Sequence, residues 1–372
     1  MKARETVPGQ QEWLVLTKLP GVGSARLAEI AAAAPDWPAG WLARLPHQAA
    51  TMLRHWLDHP GRSPLTEALE ADRAWLTAAP GRHLLHPGHP AWPTLLEQIG
   101  DPPPLLWGVG DLAALEPPGL AIVGTRRPTR DGLANAARFG RELASRDWCV
   151  VSGLALGIDG AAQQAAIEAG GRSVAVLGCG ADVIYPPRHG RLYHQLLDHG
   201  GLVLSEYSPG TPARSGFFPR RNRIVTGMSL GVLVVEAAEK SGSLVSARLA
   251  MEQNREVFAL PGSINNPQAR GCLQLIRQGA VLVRDVDDIL EELSHWAAAV
   301  VPMVASQAPD TEGGSVADPL LRWLSDSPSP LDALVNLTGL SVPDCQRRLL
   351  ELELEGRAAQ APGGWVRLPE TA

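Results

Sequence analysis

Residues 149–177, CVVSGLALGIDGAAQQAAIEAGGRSVAVL, decide the fold. Two short apolar runs, Cys149–Ser152 and Ser173–Leu177, flank a stretch from Asp159 to Ala169 with helical spacing. Neither run alternates with polar residues, so each strand is expected to be buried on both faces. A strand, a helix and a second strand of this kind make a right-handed crossover between parallel neighbours. Outward from there, the alternation extends over roughly 105–293. Further strands are expected at Leu120–Gly124, Leu202–Ser205, Gly231–Val235, Val257–Leu260 and Val281–Val283, and helices at Asp131–Ser145, Leu192–His199 and Ser243–Asn254. The pattern predicts an α/β core, a doubly wound, Rossmann-like parallel sheet covered on both faces.

The flanks read differently. Residues 1–80 are patterned for helices alone, with Leu14, Leu16, Leu19, Leu27 and Ile30, then Trp41, Leu42, Leu45, Leu53, Trp56 and Leu57. This predicts an N-terminal all-helical domain of the SAM or helix-hairpin-helix kind. A Pro- and His-rich connector follows, with HPGHPAWP at 86–93 and DPPPLLWG at 101–108, where prolines remove backbone donors. Beyond the sheet, AAAVVPMVASQAPDTEGGSVADP has linker composition. Three apolar faces then follow: Leu320, Leu321 and Leu324; Leu331, Leu334 and Leu337; Leu349, Leu350 and Leu352. A Gly363-Gly364 turn leads into Trp365–Leu368, which is the order of a winged helix. The expected divisions are 1–80, 81–295, a linker over 296–317, and 318–372.

The 372 residues are 45% hydrophobic and 19% charged, a composition that excludes disorder and collagen-like repeats. The first residues, MKARETVPGQQEW, lack a signal core, and no run of 18 apolar residues occurs, so no membrane insertion is expected. Cys149, Cys179, Cys272 and Cys345 show no metal or disulfide spacing, which fits a reducing cytoplasm. The net charge of −6 argues against a general nucleic-acid binder, yet the excess acid is C-terminal. Residues 296–372 carry 5 basic and 10 acidic groups, whereas 207–235 hold Arg214, Arg220, Arg221 and Arg223 with no acid. On charge, the C-terminal domain is expected to contact protein rather than DNA.

Ligands of open parallel sheets bind beyond the carboxyl ends of the strands. There the sequence places Gly124-Thr125-Arg126-Arg127, Ser152-Gly153, Gly178–Arg188 and Ser241-Gly242-Ser243. Glycines, serine hydroxyls and arginines on one rim suit a phosphate-bearing ligand. Each element also has a plainer reading: a tight turn with solvated arginines, or a serine N-cap. The stretch Phe217-Phe218-Pro219-Arg220-Arg221-Asn222-Arg223, read as a connection between strands, combines aromatic faces for bases with cations for phosphates. The alternative is that the phenylalanines fill the core and the arginines pair with acids. In the first block, Gly21-Val22-Gly23 reads as a helix-hairpin-helix turn with a packing role or weak binding. There is no complete dinucleotide fingerprint, Walker A sequence or metal-ligand spacing, so no cofactor, metal or catalytic residue is assigned. Asp159, Asp182, Glu206 and Glu236 lie near strand ends, where carboxylates more often cap helices or orient arginines.

Taken in order, AIVGTRRPT, VSGLALGIDGAA, VAVLGCGADVIYPPRH, LSEYSPGTP, FPRRNRIVTG, GVLVVEAAEKSGSLVSARLA, VFALPGS and GCLQLI resemble the DNA-processing protein A (DprA, or Smf) family over essentially all of 120–283. The resemblance implies a cytosolic, non-catalytic protein of natural transformation that binds single-stranded DNA. It further implies a homodimer that recruits the recombinase RecA and helps load it onto the strand. Family DNA contacts carry over to Arg126, to the segment from Tyr185 to Arg188, and to Arg220–Arg223, with Ser152-Gly153 and Ser241–Ser243 lining the same pocket. Two positions depart from the family pattern: Gln163 stands where histidine is usual, and Pro187 where a basic residue often follows Tyr-Pro. The alternatives are a nucleotide N-glycosidic hydrolase using Glu236 or Asp182, and a structural adaptor.

Overall fold

The computed structural model describes residues 7–300 and, beyond them, 320, 324, 330, 331, 334, 335, 340–355, 357–361 and 364–368. Of the linker expected over 296–317, residues 296–300 continue a helix that begins at Val286, and 301–317 lie outside the described residues, as do Leu321, Leu337 and the Gly363 turn residue. The chain divides near Pro302 into two compact units.

The larger unit begins with six helices: α1 (Gln10–Thr17), α2 (Ser24–Ala32), α3 (Ala39–Arg44), α4 (His47–Asp58), α5 (Pro64–Ala68) and α6 (Glu70–Thr77). Of these only α5 has a side-chain cap: the Ser63 hydroxyl accepts from Leu65 N–H ahead of Pro64. Trp13, Leu16, Trp41, Leu53 and Leu69 then share one core with Leu84, Trp107, Leu177 and Val203 of the sheet region. The helical block is thus built onto one face of the sheet.

The sheet has nine strands: β1 (Arg82–Leu85), β2 (Leu106–Gly110), β3 (Gly119–Val123), β4 (Cys149–Ser152), β5 (Ser173–Val176), β6 (Leu202–Ser205), β7 (Gly231–Val234), β8 (Glu256–Ala259) and β9 (Val281–Leu282). Their order is β1-β2-β6-β5-β4-β3-β7-β8-β9. Each of the seven parallel strands lies within one residue of its expected position. The expected doubly wound parallel sheet is present, and two further strands, β1 and β2, extend it by antiparallel pairing at the β6 edge. Both lie in the stretch read as irregular connector, where prolines and histidines hide two short strands. The interleaved helices are α7 (Arg130–Ala144), α8 (Ile158–Glu168), α9 (Gly190–Asp198), α10 (Phe217–Gly227), α11 (Ser243–Glu252), α12 (Arg270–Arg277) and α13 (Val286–Val300). Successive residues of β3 face opposite cores: Leu120 and Ile122 meet Phe139 and Leu143 of α7, and Ala121 and Val123 join the core of α10 and α11. The chain winds outward from β3 to β6 and then returns to place β7 beside β3, so the topological switch lies between β3 and β7.

In the smaller unit, a helix over Val342–Leu354 is capped by Ser341, whose hydroxyl accepts from Asp344 N–H. An antiparallel hairpin, Ala358–Ala361 with Gly364–Arg367, follows. Leu320, Leu324, Leu334, Cys345, Leu349, Leu352, Ala358 and Trp365 form its core.

Candidate nucleic-acid interface

The switch point opens into two hollows, of about 70 and about 300 Å³, that share Arg126, Ala155, Phe218 and Arg221. Loop packing brings these residues together. Gly157 (φ +87°) has no room for a β-carbon, which would lie 2.4 Å from Thr125 O and 2.9 Å from Arg126 Cα. Its bareness therefore lets the loop after β4 rest on the Gly-Thr-Arg backbone. Glu236 is buried at the end of β7 and accepts from Thr129 N–H and its hydroxyl, which fixes the far end of the same loop.

Arg126 is exposed, and its guanidinium lies 5.6 Å from the Phe218 ring centre. Tyr185 packs on the same ring at 5.2 Å. Arg221 reaches the groove from below. It is buried and donates to Val176 O at 2.6 Å, and its Nε finds no acceptor among the described residues. Burial lowers its pKa, an effect that the neighbouring Asp159 carboxylate opposes. Asp159 is pushed up by its own burial and pulled down by Arg221 and by the amide of Gly153 that it accepts from. A desolvated cation with a spare donor, lining the same hollows as the Phe218 ring, suits an anion more than water. On the β7 side, Ser241, Gly242 and Ser243 line the larger hollow with Gly124 and Asn222, and the Ser241 and Ser243 hydroxyls are 2.7 Å apart.

The other expected residues lie elsewhere, and those of the 217–223 stretch are dispersed because residues 217–227 form helix α10 rather than a connection. Pro219 falls in its first turn, where no amide is needed. The side chains therefore fan out at about 100° per residue. Arg223 points away from the groove and is buried against Glu206 (2.6 Å) and Asp101 (3.1 Å). Arg220 is exposed and reaches Ser24 Oγ at 2.9 Å and Glu206 at 3.5 Å. Phe217 stacks on Tyr207 at 4.0 Å. Ser152 is buried and donates to Ile122 O, so its hydroxyl serves the sheet. Thr125 accepts from Arg127 N–H, and Arg127 and Arg188 are exposed outside the hollows. Of the two aromatics that the sequence offers together, Phe218 lines both hollows and Phe217 neither; Ala155, which also lines both, carries no sequence signal of its own. The carboxylates near strand ends are occupied: Asp182 accepts from Trp75 Nε1 and Gly210 N–H, and Glu206 pairs with arginines. Among the described residues, no group of three or more His, Cys, Asp or Glu side chains is placed to hold a metal, and no helix is long and apolar enough to cross a membrane.

Comparison with known proteins points the same way. The sequence profile described as DNA recombination-mediator protein A matches residues 83–294, and that of the DprA winged helix domain matches 304–364. Protein Smf of Escherichia coli is 42% identical over 344 residues, spanning 89% of this chain and 90% of that protein. The DNA processing protein DprA of Bacillus subtilis is 44% identical over 203 residues, 54% of this chain and 68% of the relative. Among solved structures, DNA processing protein A from Streptococcus pneumoniae aligns with a TM-score of 0.64 at 33% identity, covering 77% of this chain and 98% of the other. The Helicobacter pylori protein, described as having a single-stranded DNA binding mode, aligns with a TM-score of 0.50 at 35% identity over 55% of this chain and 93% of its own. With a Rossmann-like core, a C-terminal winged helix and identity across most of its length, the chain belongs to the DNA recombination-mediator protein A (DprA/Smf) family.

Proposed function

We propose that this chain binds single-stranded DNA non-catalytically in the switch-point groove. Arg126 and Arg221 would take phosphates, Phe218 and Tyr185 would stack bases, and Gly153, Asn222 and Ser241–Ser243 would form the walls. The observation that carries this reading is the meeting of an exposed and a half-satisfied buried arginine around one aromatic ring. Such pairs of cation and π-face are sequence-tolerant ligands for single strands. Gly124 would join these walls, while Thr125, Arg127, Arg188 and Arg220 contribute field and loop shape around the groove rather than its lining. From family membership we extend the proposal to a cytoplasmic homodimer of natural transformation that protects incoming strands and passes them to RecA. In this scheme residues 1–80 and 81–295 work as one body, with 296–317 as the tether to the winged helix of 318–372. A hydrolytic role is disfavoured because Glu236 and Asp182 are already engaged by backbone and side-chain donors.

Fluorescence anisotropy with labelled oligothymidine tests the reading. Arg126→Ala is expected to weaken binding across sequences and to make the dependence of log K on log salt shallower by about 1. Its exposed position predicts an unchanged melting temperature. An unaltered salt dependence would remove Arg126 from the site, and release of free base from nucleoside monophosphates would favour hydrolysis.

A further inference from the structure

We infer that Gln163, buried in the core behind the groove, is a positioning residue for strand binding. The inference rests on the reading of the groove as a single-strand site. It starts at Leu154, which holds φ +53°, a left-handed conformation that a branched L-residue adopts only under constraint. Leu154 N–H donates to Gln163 Oε1 at 3.1 Å, and its carbonyl accepts from His189 Nδ1 at 2.9 Å. The Leu154 side chain is buried. Just before it, Gly153 N–H donates to Asp159 Oδ2 at 3.1 Å. Just after it, Ala155 and Leu156 line the groove.

Gln163 is itself inaccessible to solvent, and its carboxamide has one workable orientation. Nε2 donates to Ser173 Oγ at 3.1 Å and to Val174 O at 3.2 Å. The Ser173 hydroxyl donates its own proton to Val150 O, so it meets the amide with a lone pair. Rotated by half a turn, the carboxamide would set donors against Leu154 N–H and an acceptor against two acceptors. The side chain is thus a crosspiece that locks the loop after β4 to strand β5. The locked loop carries Gly153, whose missing β-carbon leaves the space that the Arg221 guanidinium fills. Gln163 therefore sets the placement of Arg221 without touching a ligand.

Gln163→Met keeps the length of the side chain and removes all three hydrogen bonds. The folded variant is expected to bind labelled oligothymidine about tenfold more weakly, equivalent to about 1.4 kcal/mol. Because Gln163 acts through Gly153 and Arg221, this loss is expected to be less than additive with Gly153→Ala. A purely structural role would lower the melting temperature and leave the Kd of the folded protein unchanged, which would overturn the inference. Should Gln163→Met fail to fold, Ser173→Ala frees one side of the carboxamide and is expected to give a smaller loss in the same direction; an unchanged Kd there would overturn it equally. Absence of binding by the unaltered chain would overturn the strand reading itself and this step with it.

Discussion

A β-carbon on Gly153 would lie 1.7 Å from Arg221 Nη1 and 2.3 Å from its Cζ. The guanidinium has little freedom to retreat, because it is buried and tied to Val176 O. Gly153→Ala is therefore expected to displace Arg221 from the floor of the groove. Overpacking of this kind costs about 1–3 kcal/mol, so the melting temperature is expected to fall as well. Strand affinity of the folded variant, measured at fixed salt, is expected to drop toward that of a variant lacking the Arg221 cation. Affinity equal to that of the parent would show that the buried arginine takes no phosphate. The sequence offered Ser152-Gly153 as one element, yet the two residues do unlike things. Serine closes a hydrogen bond within the sheet, while glycine makes room for a cation that arrives from a segment about seventy residues later in the chain.

Helix α10 distributes its three arginines among three tasks, and substitution is expected to separate them. Arg223 and Glu206 are each more than nine-tenths buried, with Asp101 as a half-exposed third member. Removing one partner of a buried pair strands the other charge, so Arg223→Ala is expected to cost about 3–5 kcal/mol of stability. Its effect on strand affinity per folded molecule is expected to be small. Arg220→Ala opens only a half-exposed contact and is expected to change stability by less than about 1 kcal/mol. Chemical denaturation of the two variants side by side checks the contrast; equal losses would refute it. This element also marks where the sequence stops being legible. The seven parallel strands announce themselves because burial on both faces demands unbroken apolar runs. Residues 217–227 give no such signal, since a proline in the first turn and alternating cations imitate a loop. The antiparallel strands β1 and β2 are short and framed by His and Pro, so turn chemistry masks them. Which arginine faces the groove is a matter of helical phase, and phase cannot be read from a stretch whose composition imitates a loop.

At the scale of the molecule, the helical block and the sheet share one core, so neither is complete alone. Cutting the chain at residue 80 would uncover Leu84, Trp107, Leu177 and Val203, and residues 81–295 are expected to be aggregation-prone when expressed without their N-terminal partner. The junction also carries a titratable ring. His86 is buried and stacked on Trp13 of α1 at 5.9 Å. Burial lowers its pKa below the ordinary 6.5, more than the Pro87 carbonyl and the Glu12 charge raise it. His89, next to it, is lowered too, by burial first and then by His86 and His83. The sign follows from linkage. Well above pH 6.5 both rings are neutral folded or unfolded, and their titration leaves stability untouched. As pH falls below 6.5, the unfolded chain takes up protons that the folded chain resists. Stability therefore declines until the lowered folded values are reached. The melting temperature is expected to fall between pH 7 and pH 5.5, and His86→Phe, which keeps the ring on Trp13 without the charge, is expected to flatten part of that slope while His89 retains the rest. A His86→Phe profile parallel to that of the parent would show that the junction does not sense protons.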